Sequence, residues 1–479
     1  MREISIKDIV MLFVISVFCA LIFFICFPSS LINRGDQFQY NTIANNINKH
    51  NVFSLETEPP FNPTLNREPI YPLFLSLIYR IFGESFSIVI MIQILIFAIT
   101  IILTYKLIIF FTNSRIAFYS SLFTAICPPL ANLSSSLMSE TLFIFLLIAF
   151  AYIFSIAMYH QRKHLLIYCG ILLGILSLCK TAMFYFFPFL VGSLLLFNRK
   201  KIVIQILLVS VPFILVVVPW LARNYYTFGT WKMTAPRGGM VLWMRGLKND
   251  YSIEDLKQAA VYYFSENLGK KIYPDATYKN EAFMREFNAV IKGRRDEDFW
   301  RESLKKRSFT VREGVILDAK IISLKEAGFT DLEIDTILTT EAIKKINNNP
   351  FKYLMQTPLE LIKMTSFTYL PILNDEQIVM KIESFKTGLV SVIRAITRLI
   401  AYPIIVLAFY GIFQYRKEWK ILFPIFLIII YFNLLQGLTF GFGRHAAPLI
   451  PFYIMFATMG LFKLYESRNA FSNKAVRLM

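Results

Sequence analysis

The chain has 479 residues, of which 56% are hydrophobic and only 17% are charged, and its mean hydropathy is +0.53. A soluble domain of this size would not carry so many long apolar runs, so the composition predicts a polytopic membrane protein. The formal net charge is +18, but the basic residues lie in short clusters between apolar runs. That distribution favours loops at an anionic membrane face over nucleic-acid binding.

The first apolar run, near residues 8–29, resembles a secretion signal. Because it is about 20 residues long and no A-x-A cleavage site follows, we interpret it as a retained signal anchor with its N-terminus in the cytoplasm. Neither a disulfide framework nor a zinc site is indicated. The cysteines form no CxxC pair and lie in or beside apolar segments: Cys19, Cys26, Cys127, Cys169 and Cys179.

Ten apolar runs are candidates for membrane spans. In chain order they fall near residues 8–29, 86–111, 116–131, 140–159, 165–179, 182–198, 202–222, 388–414, 421–440 and 446–464. Positive clusters at residues 162–163, 199–201 and 416–420 belong on the cytoplasmic side. Ten spans with both termini in the cytoplasm satisfy these clusters.

The spans divide the chain into three predicted parts. Residues 1–222 form a membrane module with a first external loop at residues 30–85, and residues 388–479 form the C-terminal spans and a cytoplasmic tail. Between them, residues 223–387 form a large external loop with helical periodicity. Its last stretch, residues 350–373, is apolar, and we predict an interfacial amphipathic helix there, because another span would move residues 416–420 to the outside.

Polar residues that could carry chemistry gather on the predicted external side. Each has an ordinary structural explanation: a helix cap for Asp36, a favourable first-turn acid for Glu140, or snorkelling for the arginines. As a set, however, they place cations where the positive-inside rule expects few, beside several carboxylates. This pattern points to an anionic ligand such as a lipid phosphate. The residues are Asp36, Arg67, Glu68, Glu140, Lys180, Arg223, Asn224, Gly238, Gly239, Arg444 and His445.

The order of short motifs resembles the GT-C membrane glycosyltransferases, in the branch of glycosyltransferase family 39 that includes protein O-mannosyltransferases and the aminoarabinose transferase of lipid A. The resemblance extends over nearly the whole chain. It rests on Gly35-Asp36 with Tyr40 and Ala44; on Arg67, Pro69, Tyr71, Pro72, Leu73 and Phe74; on Ser139-Glu140-Thr141-Leu142-Phe143; on Pro219-Trp220, Arg223-Asn224 and Phe228-Gly229; and on Arg444, Pro448 and Pro451.

The resemblance implies an all-α polytopic fold of about ten transmembrane helices, with interfacial helices in the external loops. It also implies a polyprenyl-phosphate-linked sugar as donor. Two positions depart from the family pattern. Gln37 stands where many relatives carry a second acid, so a divalent metal is not indicated and no cofactor is certain. Lys180 stands where relatives often carry arginine, which keeps the charge but loses the bidentate fork.

The chemistry of such a donor fits these residue types. A lipid phosphate leaves without needing a proton, so the enzyme needs one base for the acceptor and cations for the phosphate. We predict Asp36 as the base, with inversion at the anomeric carbon, and Glu68 and Glu140 as secondary acids. The predicted phosphate ligands are Arg67, Lys180, Arg223 and Arg444, and the predicted substrate-loop residues are Tyr71, Asn224, Gly238, Gly239 and His445.

The sequence therefore predicts a glycosyltransferase of cell-envelope glycan or lipopolysaccharide synthesis in a bacterial inner membrane, with an extracytoplasmic active site. Its expected partners are a polyprenyl-phosphate-linked sugar, a glycan, lipid or protein acceptor, and membrane lipids. A glycan polymerase or ligase would use a similar donor and stays an alternative. A lipid or solute transporter is disfavoured, because the span centres are almost free of charge. A non-catalytic membrane subunit would tolerate loss of Asp36.

Overall fold

The computed structural model of the protein describes residues 5–26, 35–197, 202–234, 238–306, 308–309, 312–365, 384–441 and 443–476. These residues contain helices and turns but no strand. They fall into two compact units. The first belongs to residues 1–234, 367–431 and 446–479, and the second to residues 235–366 and 432–445.

Among the described residues, six helices are long and apolar enough to cross a membrane, the last two counted together with the short 3-10 turn before each. They are Ile6–Cys26, Phe86–Phe111, Glu140–Tyr159, Ile202–Phe228, Arg416–Leu438 and Gly443–Ser467. The bent pair of helices Ser114–Ala125 and Pro128–Ser134 would make a seventh span. The shorter apolar helices are Ile70–Phe82, Leu165–Cys179, Thr181–Leu196 and Leu399–Gln414, the last being part of Ser384–Gln414.

The prediction of an all-helical polytopic membrane protein is confirmed. Each of the ten predicted spans falls on one of these helices or on the bent pair, but the fifth, sixth and eighth fall on shorter apolar helices. The third span bends by 60° at its break. The cause is in the sequence, because Pro128 and Pro129 lack the backbone N–H groups that would continue the preceding helix.

Two glycines hold neighbouring helices of the first unit close together. A Cβ atom on Gly170 would lie 2.2 Å from the carbonyl oxygen of Val209, and one on Gly174 would lie 2.7 Å from Cβ of Val216. Small residues four positions apart let membrane helices approach in this way. The close packing fixes Leu165–Cys179 against Ile202–Phe228, and these helices carry Lys180 just past the end of one and Arg223 near the end of the other.

The second unit is a cluster of helices that corresponds to most of the predicted external loop. Its core contains Trp243, Leu247, Phe283, Ile316 and Leu338. Capping boxes at Ser252 and Thr330 start two of its helices. The helices are Gly238–Leu247, Ile253–Phe264, Glu266–Ile272, Ala276–Lys279, Glu281–Ile291, Glu297–Lys306, Glu313–Glu326, Asp331–Asn348, Pro350–Met355 and Thr357–Thr365.

The predicted interfacial stretch forms the last two of these helices, and its part after residue 365 lies outside the described residues. The side chains of Phe351, Leu354 and Met355 are exposed, whereas Tyr353 is buried. The hydroxyl of Tyr353 donates to the carbonyl of Leu438, the last residue of a candidate span. The interfacial position of this stretch stays a prediction.

A buried group of ions lies inside the second unit. Lys248 donates to the carboxylate of Glu360, which also accepts the backbone N–H of Gly441 at 2.9 Å. The ammonium of Lys363 lies 3.4 Å from the ring centroid of Phe440. The pKa of Lys363 is lowered to about 7, first because burial disfavours the charged form and then because Lys248 is near, while Glu360 and Glu313 act in the opposite direction.

This lowered pKa predicts a pH-dependent stability. Between about pH 7 and 10.5, the ordinary value for lysine, the unfolded chain holds this proton and the folded protein has released it. The free energy of unfolding should therefore rise with pH in that range, by at most about 1.4 kcal/mol per pH unit. Thermal melting in detergent from pH 6 to 9 should show the rise. Lys363→Met should remove that contribution, and the exposed control Lys344→Met should keep it. An unchanged slope in Lys363→Met would contradict this origin.

Candidate active site

The candidate base stands at the start of a short helix in the loop that is predicted to be the first external one. Gly35 has φ +65°, a conformation that glycine adopts without strain, and it begins the helix Gly35–His50. Asp36 lies in the first turn of this helix rather than before it as a cap. The buried face of the helix presents Tyr40 and Ala44, which pack with Tyr71. This packing anchors the turn that holds Asp36.

Asp36 forms an ion pair with Arg67. The guanidinium of Arg67 donates through NH2 to Oδ1 of Asp36 and through Nε to Oε1 of Gln39 at 2.6 Å. The side chain of Arg67 is only 6% exposed, whereas that of Asp36 is 21% exposed. Burial alone would lower the pKa of Arg67, but Tyr40 and Asp36 more than offset it, so its pKa is raised. Arg67 is therefore a permanent cation that holds and orients the carboxylate.

A second set of contacts joins the first loop to the turn after helix Leu165–Cys179. The carboxylate of Glu68 accepts from the backbone N–H of Thr181 at 3.2 Å and from its hydroxyl at 3.0 Å. The preceding residue, Lys180, donates to Oε1 of Glu140 at 2.9 Å. Glu140 is buried at the head of its spanning helix, while the side chain of Lys180 is 25% exposed. Lys180 is thus the more accessible member of this pair.

Tyr40 lies among these charged groups. Burial is the main cause that raises its pKa; Lys180 and Arg67 lower it, and Glu68 and Asp36 raise it. Its ring lies 5.0 Å from the guanidinium carbon of Arg67, and its hydroxyl is 3.3 Å from Oγ of Ser139. Four charged residues from three parts of the chain therefore converge around one buried tyrosine.

Tyr40 and Thr181 were not predicted as site residues. Tyr40 follows Asp36 by one helical turn, a spacing that could have placed it beside the carboxylate. Thr181 carries no comparable signal. Tyr71, predicted as a substrate-loop residue, is buried against Tyr40 with ring centroids 4.8 Å apart, and its hydroxyl donates to Gln93 at 2.6 Å.

Arg223 occupies an aromatic site at the end of its helix. Its guanidinium carbon lies 4.8 Å from the ring centroid of Trp220, and its NH1 donates to the carbonyl of Thr64 at 3.1 Å and to Asn224 at 2.9 Å. Asn224 in turn donates to the carbonyls of Lys232 and Met233. This arrangement joins the end of the helix to Thr64, three residues before Arg67.

The other predicted site residues belong to the second unit. Gly239 donates its N–H to Oδ1 of Asp335 at 2.7 Å, and a Cβ there would lie 2.4 Å from the Asp335 carbonyl oxygen. Gly238 begins the same helix. His445 lies 2.7 Å from Oε1 of Gln436 through Nδ1, and Arg444 lies in the same 3-10 turn. Their membership of one site with Asp36 stays a prediction. Among the described residues, no group of three or more His, Cys, Asp or Glu side chains could hold a metal ion.

Comparison with solved structures finds similar chains at low sequence identity. The archaeal oligosaccharyltransferase AglB from Archaeoglobus fulgidus, solved with an inhibitory peptide and a dolichol-phosphate, is 13% identical with a TM-score of 0.48, and the match covers 97% of this chain and 52% of that chain. The apo form of the oligosaccharyltransferase from this organism is 12% identical with a TM-score of 0.49, and the match covers 98% of this chain and 52% of that chain. Apo ArnT from Cupriavidus metallidurans is 13% identical with a TM-score of 0.35, and the match covers 94% of this chain and 76% of that chain. The chain thus spans about half the length of the archaeal enzymes that it matches.

The sequence itself matches a known family in its first half. No curated protein matches the chain, but residues 63–222 match the family described as dolichyl-phosphate-mannose-protein mannosyltransferase. These residues include Arg67, Glu68, Glu140 and Lys180. Over this third of the chain the sequence is similar to that mannosyltransferase family, which confirms the resemblance that the ordered motifs indicate.

Proposed function

We propose that this protein is an integral membrane glycosyltransferase that moves a sugar from a polyprenyl-phosphate donor to an extracytoplasmic acceptor, with inversion. The observation that carries the proposal is the partly exposed carboxylate of Asp36, held by the buried cation Arg67 in the first external loop. Around it stand further acids and an accessible lysine. The family match over residues 63–222 supports glycosyl transfer as the reaction class.

In the proposed reaction an acceptor oxygen bonds to the anomeric carbon as the bond from that carbon to the phosphate oxygen breaks. The electron pair leaves with the polyprenyl phosphate, and the proton of the acceptor hydroxyl passes to Asp36. The ion pair with Arg67 fixes the orientation of this carboxylate. Positioning of this kind contributes strongly to rate, because a bound reactant then meets the base in a productive geometry.

The remaining residues take distinct roles in the proposal. Because Nε and NH2 of the Arg67 guanidinium already donate to Gln39 and Asp36, we assign Arg67 first to orienting Asp36. Lys180 and Arg223 are the phosphate ligands in the first unit, and Arg444 is proposed as a further one. Glu68 is a positioning residue, since it fastens the turn that carries Lys180.

Mass spectrometry of cell-envelope glycans from a deletion strain tests the function. We expect the loss of one sugar from a surface glycan, lipid or protein, and its return with the wild-type gene but not with Asp36→Asn. Loss of a long polymer with its single units intact would favour a polymerase or ligase. Unchanged glycans under conditions in which the gene is normally expressed would contradict the proposal.

We further propose that the protein lies in a bacterial cytoplasmic membrane with both termini inside. The positive clusters predict that Lys163 lies in the cytoplasm and that Ala289, in the large loop, lies outside. Reporter fusions or cysteine-accessibility labelling at these two positions should give opposite results. The same result at both positions would contradict the ten-span topology and the external site together.

A further inference from the structure

A small polar cavity lies at the end of the first unit opposite the candidate active site. It has a volume of about 110 Å³ and is lined by Gln161, Lys163 and Gln205 together with apolar residues that include Met158, Leu166 and Leu194. It lies where helix Glu140–Tyr159 ends and helix Ile202–Phe228 begins. Glu140 heads the first of these helices, so the 20 residues of that helix place it about 30 Å from the cavity.

Two polar side chains that line this cavity, Lys163 and Gln205, do not contribute ion pairs or hydrogen bonds to the packing of the described residues. Gln205 is buried, with 4% of its surface exposed, in a helix that is otherwise strongly apolar. Within the part of the chain that the structure describes, its amide makes no hydrogen bond, and Lys163 makes no ion pair. The Gln205 side chain lines the cavity instead of bonding to another protein group, and polar residues in spans usually face a partner or a ligand.

The chemistry of the lining selects an anion with an apolar extension. The Lys163 ammonium supplies a positive charge, and the amides of Gln161 and Gln205 supply N–H donors. The carbons of Met158, Leu166 and Leu194 form the apolar part of the wall. A phosphate group fits the volume, whereas a whole lipid does not, so the rest of such a molecule would extend into the surrounding bilayer.

We propose that this cavity binds the phosphate of an anionic lipid headgroup from the adjacent leaflet. The ends of spanning helices lie at the depth of lipid phosphates. The positive clusters at residues 162–163 and 199–201 predict that this leaflet is the cytoplasmic one, where basic pockets between spans bind anionic headgroups. The site is separate from the donor site and serves to hold structural lipid.

The test uses full-length protein purified in neutral detergent and depleted of lipid. Native mass spectrometry and thermal melting are recorded with phosphatidylglycerol, phosphatidylcholine or inorganic phosphate added. We expect phosphatidylglycerol to bind and to raise the melting temperature more than phosphatidylcholine does. Lys163→Gln should weaken phosphatidylglycerol binding about tenfold or more, as expected for loss of a charge-assisted contact. Gln205→Leu, which suits a membrane helix, should also weaken it.

The matched control is Lys417→Gln, which removes an exposed cation from another predicted cytoplasmic turn. It should leave phosphatidylglycerol binding unchanged. Equal binding of the two lipids by wild-type protein would overturn the proposal, as would equal losses in Lys163→Gln and Lys417→Gln. Inorganic phosphate that displaces phosphatidylglycerol at equal concentration would show a site for the free anion instead of a lipid.

Discussion

Asp36→Asn should lower the rate of sugar transfer at least about 10²-fold while expression stays intact, because an amide cannot accept the acceptor proton. The substitution keeps the shape of the side chain and one oxygen for the hydrogen bond from Arg67. Because Asp36 lies in the first turn of its helix, loss of its charge there should cost the helix only about 0.3–1 kcal/mol. A large loss of turnover with a normal melting temperature therefore points to chemistry and not to the local fold. Turnover is measured on purified protein with a defined lipid-linked donor.

Gln39→Ala is the matched control for this experiment. Gln39 lies on the same helix and accepts the other hydrogen bond from Arg67, but it carries no charge. Its replacement should have a much smaller effect than Asp36→Asn. Wild-type turnover of Asp36→Asn would reject the catalytic role. If the acceptor is itself a phosphate, no deprotonation is needed. The plot of rate against pH should then show no fall at low pH that is assignable to protonation of Asp36, even though Asp36→Asn is damaging.

Lys180→Ala, Arg223→Ala and Arg444→Ala should each weaken donor binding by about 10- to 150-fold, because a charge-assisted contact contributes roughly 1.5–3 kcal/mol. Equilibrium binding of a polyprenyl phosphate to purified protein measures the effect. Unchanged affinity in all three variants would reject the proposed phosphate site. Arg67→Ala should differ from them, with a larger effect on kcat than on donor affinity, because it releases Asp36.

Glu140→Gln provides the control for Lys180. It removes the carboxylate that engages the lysine, so the ammonium no longer has to leave a charged partner to reach a phosphate. Donor affinity should be kept or increased. A loss as large as that of Lys180→Ala would mean that Lys180 and Glu140 act only as a structural pair.

The fold could be predicted well because its signal is local. Apolar runs mark the helices, and even the bend in the third span follows from Pro128 and Pro129. The lengths of the helices are harder to predict than their positions. Leu165–Cys179, for example, has only 15 residues and packs through its glycines against Ile202–Phe228. Those contacts cannot be read from the run of apolar residues itself.

The sequence selects candidate site residues but does not show which of them pair. Motifs selected Asp36, Arg67, Glu68 and Lys180, yet the sequence assigned Arg67 to the phosphate. Its pairing with Asp36 joins positions 31 apart, and the contact of Glu68 with Thr181 joins positions 113 apart. Residues so far apart in the sequence are not related by the period of a helix. Only the folded chain therefore shows that Arg67 and Lys180 already have carboxylate partners.

The pairing of Lys180 with Glu140 has a consequence for ligand discrimination. The carboxylate of Glu140 already forms an ion pair with the ammonium of Lys180 and so competes with any other anion. An incoming phosphate must displace this carboxylate or bind the lysine together with it. Free phosphate, which is small and strongly hydrated, gains little in that exchange. A phosphate delivered on a lipid arrives at a high local concentration in the membrane, and tethering of that kind overcomes a weak single contact. The proposed site would thereby stay open to its donor in the presence of dissolved anions.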